Sequence, residues 1–341
     1  MTLRIGLIGA GANTKLKHIP GFQKIDEVDL VTVCNRSRES AQKVADEFGI
    51  PDISTDWREV VHRDDVDAVC VGTWPYMHCE VTIEALTADK HVLTEARMAM
   101  NLDEAREMCN VSKSVNKVAM IVPAQLHPES EKTTIDMIAD GVFGEWLEIC
   151  VNAVGGGYDS NAPLHWRQRR ILSGNNIMHM GIFNENVHRY AGFEKSLIAH
   201  ATSFTTQRMN AETGQLEDAD VPESVGIVAE MQSGATAVYH ISSVARFGGG
   251  GADLELHGTK GALKIEDGLA WVAGEGDSDF HKLDIPEEKK GRWRVEEEFV
   301  DAIKAGSPVM HTNFSDGVKY MEFTEAVHIS LKEGRRVSFP L

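Results

Sequence analysis

No stretch of this 341-residue chain approaches the roughly 20 apolar residues that span a bilayer, so no transmembrane helix is expected. Long basic runs are also missing. The formal net charge is −18, and a nucleic-acid partner would require a lysine- or arginine-rich footprint, so none is expected. Cysteine is scarce: Cys34, Cys70, Cys79, Cys109 and Cys150 are odd in number, widely spaced and without a metal-type pair. They read as small buried hydrophobes of a reducing compartment, with no metal and no disulfide framework. Thr2-Leu3-Arg4 leads at once into an apolar run, too short for a signal peptide's charged and apolar regions, and a cytoplasmic address is expected. Also lacking are a Gly-x-Ser-x-Gly elbow, a phosphate loop ending in Gly-Lys-Ser/Thr and a His-Glu-x-x-His helix.

What is present is ordinary for a globular protein, with 42% hydrophobic and 25% charged residues on a length comfortable for two cores. The first third alternates short apolar runs with amphipathic stretches. Strands are expected at Arg4–Ile8, Val28–Cys34, Asp67–Thr73, His91–Thr94 and Val118–Pro123. Helices are expected near 15–24, 37–48, 78–87 and 102–115, with Ser37 and Asn101 as N-caps. Strand–helix alternation with near-continuous apolar strands predicts an α/β domain, a doubly wound parallel sheet of Rossmann type, over residues 1–123. Residues 124–341 read as an α+β domain with a large, mostly antiparallel open sheet between about 197 and 273, which can leave one face for another subunit. A helix near 176–190 and two more at 294–304 and 316–331 complete it. The glycine run 248–251 reads as a flexible turn, and Glu296-Glu297-Glu298 as a solvated helix start.

Gly9-Ala10-Gly11-Ala12-Asn13-Thr14 follows the first strand and opens a helix. Glycine permits the tight turn and lets a pyrophosphate approach the backbone, and the helix N-terminus offers N–H groups to the phosphates. Thr14 stands at the third glycine position, so the fingerprint is incomplete. At the end of the second strand, NAD sites carry a carboxylate for the ribose 2′-hydroxyl. Here Asn35, Arg36, Ser37 and Arg38 stand instead as expected cofactor contacts, and Arg36, Ser37 and Arg38 offer donors and positive charge to a 2′-phosphate. The cofactor expected is therefore NADP(H), with NAD(H) as the alternative; solvated arginines at a helix start are the other reading of the pair.

Thr73-Trp74-Pro75-Tyr76-Met77-His78, Lys90 to Glu95, Trp166-Arg167, Ser173-Gly174 through Gly181, Phe299 to Ile303 and Gly334 to Val337 follow one another in a telling order. In that order and spacing the chain resembles the glucose–fructose oxidoreductase/inositol dehydrogenase (Gfo/Idh/MocA) family over nearly its full length. The resemblance implies an oxidoreductase acting on a sugar, polyol or related cyclic alcohol, a homodimer or homotetramer, and cofactor contacts at Thr73, Trp74, His78 and Glu95. It also implies a Glu-Lys-Pro lysine and an Asp, a His and a second Asp on the substrate-side helix. None of the four survives: Glu95-Ala96-Arg97 replaces the first motif, and His179, Phe183 and Asn186 occupy the helix positions. Offsets of four and seven share one helical face, so these three are expected to look into the site together.

Hydride transfer to or from an alcohol needs a group to take or supply the hydroxyl proton, which Ala96 and Phe183 cannot do. His179 is the remaining titratable candidate, with a buried structural histidine as the competing reading. Tyr76 either orients a substrate hydroxyl or lines the pocket. Arg97 is a further catalytic candidate, and His127, Phe183, Asn186 and Arg167 are candidate substrate contacts. Two other functions stay open. One is a redox-neutral sugar-modifying enzyme (elimination, hydrolysis or epimerisation) with tightly bound cofactor; the other is a dinucleotide-binding protein without turnover.

Overall fold

Six short strands, β1 (Leu3–Ile8), β2 (Val28–Cys34), β3 (Ile53–Ser54), β4 (Ala68–Val71), β5 (His91–Thr94) and β6 (Ala119–Ile121), pair in parallel in the order β3-β2-β1-β4-β5-β6. The computed structural model of the protein describes residues 2–248 and 253–341. Ile5, Leu7, Val69, Val71, Val92 and Leu93 are fully or almost fully buried, as strands covered on both faces require. Each such aliphatic side chain contributes about 1.5–3 kcal/mol by leaving water.

The crossovers are α1 (Ile19–Phe22), preceded by a π-type turn over Thr14–His18, then α2 (Arg38–Phe48), α3 (Trp57–Val61), α4 (Pro75–Thr87) and α5 (Leu102–Ser114). Ser37 and Asn101 cap α2 and α5 as expected, accepting from the amides of Ser40 and Glu104. Gly49 ends α2 in the left-handed conformation that glycine adopts without strain.

By contact the chain divides into two units. The first comprises residues 1–123 together with 294–321, and the second residues 124–293 with 322–341. Residues 294–321, read from the sequence as part of the second domain, thus pack with the first. Periodicity identifies a helix there but is silent on which core its apolar face enters.

In the second unit, after α6 (Glu131–Ala139), come β7 (Trp146–Val154), α7 (Arg170–Ser173) and α8 (Met180–Ala191). The strands β8 (Glu194–Thr202), β9 (Gln207–Met209), β10 (Leu216–Asp218), β11 (Ser224–Met231) and β12 (Thr236–Ser242) follow. Then come β13 (Leu254–Gly258), β14 (Gly261–Glu266), β15 (Leu269–Gly274), β16 (His281–Lys282) and, near the end, β17 (Val337–Ser338). Nine of these form one sheet, β16-β15-β14-β13-β7-β12-β11-β8-β17, antiparallel except for the β7–β12 pair. β9 and β10 make a separate hairpin.

Burial alternates along β11, with Val225, Ile227, Ala229 and Met231 facing inward, which is the period of a sheet covered on one side. Met180, Phe183, Val187 and Tyr190 of α8 belong to the same core. Most of the glycine run 248–251 lies outside the described residues.

Candidate functional site

The strand order of the first sheet reverses between β1 and β4, and a crevice outside the carboxyl ends of the strands is expected at such a switch point. A cleft of about 300 Å³ opens there. It is lined by Gly9, Ala10 and Gly11 after β1, by Asn35 and Arg36 after β2, and by Gly72, Thr73, Trp74 and Tyr76 around the start of α4.

The turn after β1 is held tightly. Gly9 has φ +86°, and a Cβ there would lie 2.7 Å from Thr73 Cγ2, so only glycine fits. Its amide donates to Cys34 O at 2.8 Å, and the Ala10 amide donates to Asn35 Oδ1 at 2.8 Å. Asn35, expected among the cofactor contacts, lines the cleft and braces the glycine turn. Thr14 is buried and its hydroxyl donates to Gly9 O at 3.1 Å. The close packing that a third glycine would provide has moved to Gly72, where a Cβ would meet Thr14 Oγ1 at 2.1 Å.

Of the two arginines beyond β2, Arg36 lines the cleft, its guanidinium 5.0 Å from the centre of the Trp74 ring. Ser37 is occupied as the α2 cap, and Arg38 is exposed at the helix start outside the lining. Ser40, Thr55 and Trp57 complete that end of the cleft. None of the three carries a local motif: Ser40 lies within α2, and Thr55 and Trp57 follow β3 into α3. Among the described residues no carboxylate lines the cleft. A glycine cradle at the head of a parallel-sheet crevice fits a bound dinucleotide.

Beneath the cleft, His78 is fully buried between Arg97 O (2.9 Å) and Thr73 O (3.0 Å). Burial lowers its pKa, against the pull of those carbonyls. It ties the Thr73 turn to the segment after β5 and does not line the cleft. Arg97 is 2% exposed. Ala12 and Asn13 open the helix, exposed.

Glu95, at the end of β5, accepts from Asn13 Nδ2 and lies 3.0 Å from His18 Nε2. On the other side of that ring, Glu296 Oε1 is 2.5 Å from Nδ1. The solvated helix start expected at 296–298 is therefore corrected for Glu296, whose side chain is 3% exposed. The helix α9 (Val295–Ala305) approaches α1 at Gly21, where a Cβ would meet Glu296 Oε2 at 2.6 Å. His18 was not singled out in the sequence at all; its signal is a histidine placed just past a dinucleotide turn.

In the second unit the helix begins later than expected, at Met180, so that His179 is its exposed N-cap and its carbonyl receives the amides of Ile182 and Phe183. The three positions do not form one open face. Phe183 is 9% exposed within the core, and Asn186 is fully buried. Asn186 Nδ2 donates to Ala124 O and Ile182 O, and its Oδ1 accepts from Tyr190 OH. Asn186 thus serves the interior of its own unit, on a helix face that packs inward. His127 is corrected likewise. It is fully buried between Ser130 Oγ and Tyr190 OH, each at 2.8 Å, and burial together with the Arg189 charge pushes its pKa down to about 4. Arg167 is half-buried, stacked 4.1 Å from the centre of the Trp166 ring.

Among the described residues no group of His, Cys, Asp and Glu could hold a metal ion, and no helix is long and apolar enough to cross a membrane. Cys34, Cys70 and Cys109 are buried as expected, whereas Cys150 is exposed on the sheet.

Comparison with known proteins follows the same division. Residues 3–123 match a model described as an oxidoreductase family with an NAD-binding Rossmann fold, and residues 132–264 match the GFO/IDH/MocA C-terminal domain. Glycosyl hydrolase family 109 protein 1 of Bacteroides thetaiotaomicron is 32% identical over 186 residues, 50% of this chain and 38% of that protein. The chain thus spans well under two thirds of the length of the first curated relatives. The 1,5-anhydro-D-fructose reductase of Ensifer adhaerens is 29% identical over 265 residues, 76% of this chain and 74% of that one. Levoglucosan dehydrogenase in complex with NADH and levoglucosan superposes with a TM-score of 0.89 at 21% identity, covering 100% of both chains. With both domain models matched in order, on a parallel sheet followed by a large open one, the chain belongs to the GFO/IDH/MocA oxidoreductase family.

Proposed function

We propose that this protein is an NADP(H)-dependent oxidoreductase acting on a sugar, polyol or related cyclic alcohol. The observation that carries the cofactor preference is Arg36, laid against Trp74 in a cleft with no carboxylate among its described lining residues. A guanidinium there offers paired donors to a 2′-phosphate, where an acid would repel it. The sugar class is supported by the relatives named 1,5-anhydro-D-fructose reductase and levoglucosan dehydrogenase.

When bound, the nicotinamide supplies or accepts the hydride. This chain's residues must then hold the substrate and move one proton between its hydroxyl and solvent. Ala96 stands where the family resemblance implies lysine, so we assign the proton to His179, exposed at the head of α8. Tyr76, 39% exposed at the cleft mouth, and half-buried Arg167 are assigned to substrate positioning. Fluorescence titration with NADPH and NADH, followed by absorbance assays on a sugar panel, tests the whole reading. Tighter NADH binding overturns the cofactor assignment. His179→Ala is expected to lower kcat about 10²-fold or more, with cofactor affinity unchanged; a variant of nearly full activity removes His179 from the role.

A second reading has its own support. Ala96 at the lysine position and the 32% identity to a glycosyl hydrolase family 109 protein favour a redox-neutral reaction, in which the hydride leaves the sugar and returns. Product formation without net change at the reduced-nicotinamide band distinguishes it.

We assign the outer face of the nine-stranded sheet to self-association as a homodimer or homotetramer. Ile198, Val228 and Val238, which are 43%, 49% and 40% exposed, lie in register across β8, β11 and β12, and exposed Cys150 of β7 continues the row. A contiguous apolar row on an open sheet suits a partner of the same kind. Val228→Glu is expected to convert the oligomer to monomer in sedimentation velocity; a wild-type monomer, or an oligomer indifferent to the change, rejects the assignment. Five unpaired thiols agree with a cytoplasmic setting.

A further inference from the structure

His18 sits where neither carboxylate beside it can be ignored. Its ring is fully buried, with Glu296 Oε1 2.5 Å from Nδ1 and Glu95 Oε1 3.0 Å from Nε2. A neutral imidazole donates one hydrogen bond; only the imidazolium donates to both acids. The group is therefore one cation between two anions, and the charge left over is a single negative one. It has one partly open end. The Glu95 side chain is 14% exposed, against 3% for Glu296.

At that end the Asn13 side-chain amide donates to Glu95 Oε1. Asn13 opens the helix directly after Gly9-Ala10-Gly11, and Asn35 holds the same turn from its other side through the Ala10 amide. Gly21 completes the arrangement, since any Cβ there would displace the Glu296 carboxylate. The three charged groups come from three separate places in the chain, converging on one turn of the backbone.

We propose that Glu95, His18 and Glu296 form a charge-locked clasp whose arm, Asn13, sets the position of the glycine turn and hence the affinity for a dinucleotide's diphosphate. This rests on the reading of the cleft as a dinucleotide site. All three are positioning residues, acting through Asn13. With His18 charged, the anionic pair is compensated beside the incoming diphosphate. With His18 neutral, two carboxylates repel each other and the ligand, and the Asn13 arm loses its fixed acceptor.

Burial alone would lower the His18 pKa, but the hydrogen bonds it donates to Glu296 and Glu95, with their charges, outweigh it and raise it to about 9. Burial would raise Glu95, yet His18 and Asn13 bring its pKa below the ordinary value. The remaining neighbours are accounted for: from α4 the buried His78 acts on Glu95, and the Cys70 thiol of β4 is pushed well above its usual range by burial and both acids, so it stays neutral. The His18 attraction is complete below the ordinary imidazole value of 6.5 and is lost as pH rises through about 9.

The test is NADPH and NADH affinity of the full chain by fluorescence across this pH range, for wild type, Asn13→Ala and Glu296→Gln, with melting temperatures alongside. Asn13→Ala, at an exposed position, is expected to weaken binding of both coenzymes about tenfold without moving the melting temperature. In the wild type, affinity falls above about pH 9, and Glu296→Gln moves that fall down by about one pH unit or more. Imidazole nitrogen NMR of the wild type gives a readout that needs neither a variant nor a coenzyme, with His18 doubly protonated at neutral pH. Unchanged affinity in Asn13→Ala, or a neutral His18 at pH 7, overturns the clasp while leaving the cofactor reading intact. Wild-type protein that binds neither coenzyme at any pH overturns both.

Discussion

Arg36→Glu is expected to weaken NADPH binding by about 10²–10³-fold while changing NADH affinity by less than about tenfold. The wild-type guanidinium lines the β2 end of the cleft, and its 5.0 Å position over Trp74 limits the orientations it must give up on binding a phosphate. A carboxylate in its place repels a 2′-phosphate and accepts from a 2′-hydroxyl, so the two coenzymes respond in opposite directions. Arg36→Met separates the charge from the packing: it keeps an apolar stem against Trp74 and should lower NADPH affinity without improving NADH. Isothermal titration of both coenzymes on the three proteins measures the effect. Equal losses for both coenzymes in Arg36→Glu would show that Arg36 supports the cleft wall rather than reading the extra phosphate.

The second large effect concerns stability. Arg208→Met is expected to destabilise the protein by about 3–5 kcal/mol, because it strands an acid that has no access to water. Arg208 and Glu223 are 4% and 2% exposed and 2.7 Å apart. The same guanidinium donates to Asp159 O and Ala162 O, and Glu223 Oε2 accepts from the amides of Phe204 and Thr205. The pair therefore fixes two otherwise irregular segments, one at 159–162 just before Trp166-Arg167 and the other at 204–205. Burial would raise the Glu223 pKa, but Arg208 holds it below the usual carboxylate value. Its contribution is thus present above the ordinary range near 4.5 and is lost as pH falls through the lowered value. Arg208→Met/Glu223→Gln should recover much of the loss, since neither partner is then left charged. Urea unfolding at neutral pH and at about pH 4 checks both statements; a single variant within about 0.5 kcal/mol of wild type contradicts them.

Much of the first unit was legible from residues close together in the sequence. Apolar runs of four to seven residues between capped helices imply a parallel sheet wherever they alternate, because each crossover must return over a covered face. Gly9 and Gly11 marked the turn, and Ser37 the following cap. The contents of the cleft were less legible. Asn35 stood among the expected cofactor contacts and Ser37 offers a donor to a phosphate, yet Asn35 braces the Ala10 amide and Ser37 caps α2, and local pattern does not say which use a polar side chain finds. Glu296 shows the same limit. Three glutamates at a helix start read as solvated, and only the approach of α1 at Gly21 buries one of them against His18.

Local order, then, came from the chain itself: the alternation of strands and helices, the glycine turn after β1, the missing acid after β2 and the alanine at position 96 are all short-range patterns with direct steric or electrostatic consequences. Tertiary packing decided the rest. It drew residues 294–321 into the first unit, turned Asn186 and His127 inward, and set His18 between acids 77 and 278 positions away. Such choices depend on which buried polar groups find partners, and those partners are distant in sequence, so no local pattern records them.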